Sequence, residues 1–80
     1  VATKKELKDW IIEALKANNG RATLLEICKY VWANHEDDLK HSDDLFYTWQ
    51  YDIRWAATSL REGGKLLPAS KSPRGVWELT

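Results

Sequence analysis

Apolar residues recur every three to four positions early in the chain, so that Leu7, Trp10, Ile11, Ala14 and Leu15 fall on one face of a helix. The TKKE of residues 3–6 precedes them with capping-box spacing. Thr3 can accept a bond from the amide three residues on, and Glu6 can reach back. Asn18, Asn19 and Gly20 predict the stop, because both residue types tolerate the left-handed turn at a helix C-terminus. Arg21 and Ala22 then read as a very short extended piece. The TLLE of residues 23–26 repeats the capping-box spacing and opens a second helix. Leu24, Ile27, Cys28 and Val31 form its inward face, with Leu25 and Trp32 at the margin.

The pattern turns polar at HEDDLKHSDD, residues 35–44. Residues 36–40 are expected to form a loop, after which Ser42 caps a third helix. The stripe of that helix is Phe46, Trp49, Ile53, Ala56, Ala57 and Leu60, and Gly63 with Gly64 is a strong stop signal. Residues 65–67 read as a strand, residues 68–74 as a turn-forming loop and residues 75–80 as a strand. In the last of these Trp77 and Leu79 share one face, and Val76 and Glu78 the other. No internal repeat or low-complexity segment interrupts this order. A mainly α chain with a small β-hairpin, three helices followed by a C-terminal wing, is the order of a winged helix-turn-helix.

Length and composition agree with one such unit. The 80 residues suffice for a single small domain spanning residues 1–80, and 44% hydrophobic content is too apolar for a disordered segment. Five tryptophans supply an aromatic core without disulfides. The lone Cys28 cannot form an internal bridge, which suits a reducing compartment, and a cytoplasmic location is expected. No apolar run approaches the roughly 20 residues of a membrane span, so no membrane partner is expected. The chain begins at Val1 rather than Met, which predicts that it is cut from a longer protein.

Formal net charge is zero, which argues against a simple basic nucleic-acid binder. The distribution changes that picture. Residues 1–45 carry seven Lys/Arg against nine Asp/Glu, whereas residues 46–80 carry five against three. Between Arg61 and Val76, Arg61, Lys65, Lys71 and Arg74 face a single acid, Glu62.

At about 100° per residue, one sector of the third helix opposite its apolar stripe collects Tyr47, Gln50, Tyr51, Arg54, Thr58 and Arg61. Asp52 falls on another side. Arg and Gln can read guanine and adenine edges through paired hydrogen bonds, while Tyr and Thr can contact phosphate. An ordinary solvated helix face has the same composition. The preceding helix and the basic wing tip at Lys71 and Arg74 favour DNA. Trp55 lies off the apolar stripe and is expected to cover the strands or the base of the wing.

Other chemistry finds little support. His35, His41 and their neighbouring aspartates match no compact metal-ligand spacing, so no metal is expected. Cys28 faces inward and reads as a small buried hydrophobe rather than a nucleophile. Without a glycine-rich phosphate loop or an ordered catalytic set, neither a cofactor nor an enzymatic activity is expected.

The stretch RWAATSLREGGKLL at residues 54–67, followed by RGVWELT at residues 74–80, resembles the N-terminal domain of Mrr-type restriction endonucleases. The likeness covers residues 46–80 well and the first two helices only in general form. Trp55, Ala56, Leu60, Gly64, Leu66, Gly75, Trp77, Leu79 and Thr80 fall on pattern positions that are mainly structural, and Arg54 and Arg74 on those able to touch a ligand. The residues between Gly64 and Arg74 are more numerous and more basic than the family's hairpin. The resemblance implies a winged helix that binds double-stranded DNA and precedes a separate nuclease domain; no nuclease motif lies within this chain. Two readings stand beside it. One is a protein-interaction or homodimerisation module, with Ile12 and the region of Tyr51 and Trp55 as contact patches. The other is an RNA-binding winged helix.

Overall fold

A computed structural model describes residues 4–80. Thr3, half of the first expected capping box, lies outside the described residues. Helix α1 runs Lys4–Ala17 and buries Leu7, Trp10, Ile11, Ala14 and Leu15, the five residues of its apolar stripe. It ends where Asn19 takes a positive φ of 61° and the Gly20 amide donates to the Leu15 carbonyl at 2.7 Å. Strand β1 is Arg21–Thr23, with Ala22 buried.

Helix α2, Leu24–Lys40, starts at a complete capping box. The Glu26 amide donates to Thr23 Oγ1 at 3.2 Å, and the Thr23 amide donates to the Glu26 carboxylate at 2.9 Å. Those bonds hold the Glu26 carboxyl below its usual range. The expected loop at residues 36–40 is instead helical, continuing α2 beyond a kink at His35, where φ is −131° and ψ 20°. Leu39 explains the difference, because it is fully buried and anchors an otherwise acidic turn, helped by an i,i+4 ion pair between Glu36 and Lys40.

Residues 41–43 lead into helix α3, Asp44–Glu62. Ser42 does not cap it as expected. Its hydroxyl donates to the Asp38 carbonyl behind it, and Asp43 takes the N-cap position at φ 49° without a side-chain capping bond. Phe46 is only half-buried, and Leu45 takes the core position beside Trp49, Ile53, Ala56, Ala57 and Leu60. The helix closes with the Lys65 amide on the Leu60 carbonyl (2.8 Å) and the Gly64 amide on the Arg61 carbonyl (3.1 Å). This double closure needs the left-handed φ of 78° that Gly64 adopts.

The tail packs back as a 3₁₀ turn, Ala69–Lys71, and strand β2, Val76–Glu78. Strand β2 pairs antiparallel with β1, Ala22 facing Trp77. The strand expected at residues 65–67 is reduced to a single antiparallel bridge, Leu66 with Leu79. The Leu67 amide donates to the Glu78 carbonyl at 2.9 Å beside that bridge, so β2 lies between β1 and residues 65–67. The fold is therefore mainly helical with a small two-stranded antiparallel sheet. Its core lies chiefly between α1 and α3, with Ile27 and Val31 of α2, Leu66 and Trp77 closing it. Among the described residues, no helix is long and apolar enough to cross a membrane.

Candidate nucleic-acid interface

The burial of Trp49, Ile53, Ala56 and Leu60 against the core turns the opposite sector of α3 to solvent. Tyr47 is 83% and Tyr51 78% exposed, and Gln50, Arg54 and Thr58 are exposed with them. Five of the six sector residues thus present their side chains together. The Tyr47 ring meets Phe46 edge-on at 5.0 Å, and the Thr58 hydroxyl donates to the Arg54 carbonyl at 3.1 Å. Asp52 is half-buried, and its carboxylate accepts a bond from Thr48 at 2.7 Å, away from the sector.

Arg61 departs from the expected face. It is half-buried, and its guanidinium sits 5.8 Å from the Trp77 ring. The attraction of a cation for an aromatic face draws it off α3 towards β2. There it shares a concavity of about 250 Å³ with Ser72, Pro73, Arg74, Gly75 and Trp77. Lys71 and Arg74 are both exposed, and among the described residues neither they nor Arg54 enter an ion pair. Gly75 reverses the chain after Arg74 at φ 78°, a backbone that L side chains rarely adopt.

Trp55, expected over the strands or the base of a wing, meets two lysines of α1. Its ring lies under the ammonium groups of Lys4 and Lys8 at 4.8 and 5.1 Å, so it packs with α1. Sequence patterning overlooks this because the lysines belong to a distant segment.

A groove between α2 and α3 also escaped the sequence reading. Leu25, Cys28, Lys29 and Trp32 line one side and Phe46, Trp49 and Gln50 the other, around about 430 Å³. Leu25 is 63% and Trp32 38% exposed, and the Trp32 ring lies nearly parallel to that of Trp49, centroids 6.3 Å apart. The seven-residue spacing of Leu25 and Trp32 was the available signal. Burial pushes the Cys28 thiol above its ordinary value, partly opposed by the positive charge of Arg54. That environment disfavours the thiolate a nucleophile requires.

The histidines of the acidic segment are engaged locally. His35 Nε2 faces Glu13 at 3.2 Å and Nδ1 faces Asp38 at 3.6 Å, while His41 Nδ1 donates to the Asp37 carbonyl at 2.7 Å. Among the described residues no cluster of three His, Cys, Asp or Glu side chains is arranged to hold a metal.

No family model matches the chain, and neither does any curated protein or solved structure.

Proposed function

We propose that this chain is a winged-helix DNA-binding domain, like the one at the N-terminus of Mrr-type restriction endonucleases, and that it delivers a larger protein of restriction or nuclease type to duplex DNA in the cytoplasm. The observation that carries the reading is the exposed sector of α3. Tyr47, Gln50, Tyr51, Arg54 and Thr58 stand together there, with no acid in that sector between residues 47 and 61. Lys71 and Arg74, before β2, enter no ion pair among the described residues and supply the electrostatic part. Three helices, and a β2 flanked by β1 and residues 65–67, fit the proposed architecture. The acidic segment at residues 36–44 lies at the opposite end of α3 from Arg61, which leaves the basic end for phosphate despite zero net charge.

The test is electrophoretic mobility of a short duplex with the domain across a salt series. Binding that weakens as salt rises supports the reading, and no binding even at low salt removes it. A competing RNA duplex separates DNA from RNA preference.

The groove at Leu25 and Trp32 favours a second reading, a protein-interaction or dimerisation module. That reading expects self-association or partner binding abolished by Leu25→Lys, with DNA binding absent.

A further inference from the structure

Two polar atoms near the wing have no hydrogen-bond partner although both are closed off from water: Arg61 Nε and Ser72 Oγ. Buried polar atoms of this kind are uncommon, and each calls for a ligand, an ion or a specific physical reason. Both residues line the same concavity between α3 and the loop that precedes β2, and Arg74 lines it too. We propose that this concavity is a seat for one phosphate-class oxyanion, bound by Arg61 and Ser72 and drawn in by the charge of Arg74.

The chemistry of the lining selects an anion. An arginine Nε–H can only donate, and a serine hydroxyl can donate. No acidic side chain lines the concavity, and the nearby Glu78 carboxylate is directed to Arg21, 3.6 Å away. The Arg61 guanidinium lies 5.8 Å from the Trp77 ring, beside the concavity, and its N–H groups suit the oxygens of a phosphate. As placed, both unpartnered atoms are closed off, so they meet the oxyanion when Ser72 turns about its single side-chain torsion and Arg61 turns its N–H edge towards the concavity.

The loop is also prepared in advance. The Lys71 amide donates to the Pro68 carbonyl at 2.9 Å and the Val76 amide to the Pro73 carbonyl at 3.0 Å, so little ordering remains to be done on binding. About 250 Å³ admits a tetrahedral oxyanion with some of its water.

This seat deepens the DNA-binding reading and rests on it for the natural ligand, a backbone phosphodiester. A free phosphate offers the same oxygens, and two experimental arms separate the sources. In the first, inorganic phosphate is titrated at constant ionic strength, with chloride as control, into the 80-residue chain. Nitrogen–proton NMR follows the backbone amide signals of Arg74 and Gly75, which line the concavity and are retained in every variant. A saturable shift is expected that weakens roughly ten-fold or more in Arg61→Gln and in Ser72→Ala, as for loss of a charge-assisted bond. Arg54→Ala serves as the control for general loss of charge and should leave the shift in place. Circular dichroism melts establish that each variant is folded, and Ser72→Ala carries the test if Arg61→Gln is not. A shift that never saturates, or that persists equally in folded Ser72→Ala, overturns the seat.

In the second arm, duplex DNA is titrated against salt. Arg61→Gln should lower the salt slope by about one unit. Saturable phosphate binding with no DNA binding by the unaltered chain supports the seat and removes the DNA reading. DNA binding with no saturable phosphate shift, and a slope unchanged by Arg61→Gln, removes the seat and leaves the DNA reading standing.

Discussion

The imidazole of His35 lies flat on the indole of Trp10, with ring centroids 4.2 Å apart and planes 12° from parallel. His35 is also the residue at which α2 leaves helical geometry. The stack, with Glu13 and Asp38 facing the two ring nitrogens, therefore ties the kink of α2 to α1. His35→Ala should lower stability by ~1–2 kcal/mol, most of it the aromatic contact and its buried area. Amide exchange of residues 36–40 should accelerate with it, since the stack holds that turn in place. An urea midpoint and exchange pattern both unchanged would mean that Leu39 alone secures the segment.

Trp77→Ala should cost ~3–5 kcal/mol, the range for a large aromatic removed from a core. Trp77 is buried opposite Ala22 and also carries the Arg61 guanidinium on its face. A measured loss below about 1 kcal/mol would mean that β2 does not cover the core.

Cys28 gives a pH dependence whose sign follows from its burial. The folded thiol titrates above its ordinary value. The contribution is therefore complete below the unfolded thiol's range and is lost as pH rises through that range towards the folded value. Urea unfolding of Cys28→Ala should show a shallower alkaline decline than the unaltered chain. A disulfide reagent near neutral pH should modify folded Cys28 more slowly than the unfolded chain. Equal rates in the two states would show that burial does not protect the thiol.

Affinity and sequence preference should separate along the proposed DNA interface. Lys71→Ala and Arg74→Ala should weaken binding to all duplexes alike, each lowering the salt slope by about one unit. Gln50 and Arg54 stand in the exposed sector of α3. Their loss should flatten the preference between duplexes by ~1–3 kcal/mol per lost base contact. The measurement is a salt titration of each variant against a preferred and a scrambled duplex. Equal losses on both duplexes for Gln50→Ala and Arg54→Ala would remove α3 as the reading element.

The residue pattern by itself determined the three helices, because each carries an apolar stripe at helical period and a local start or stop. The five buried residues of α1, the Thr23–Glu26 capping box and the glycine stop after α3 are all short-range features that need no partner. The exposed sector of α3 was legible for the same reason, being the complement of its stripe. What tertiary structure decided involves residues far apart in the chain. Burial of Leu39 turned an acidic segment into helix, and stacking on Trp10 placed the kink at His35. Pairing of β2 with β1 left residues 65–67 a single bridge, and Trp77 drew Arg61 off the face of its own helix. Lys4 and Lys8 claimed Trp55. Local propensity and period set where elements form, whereas the competition for buried area and for charge partners across the fold set where their side chains go.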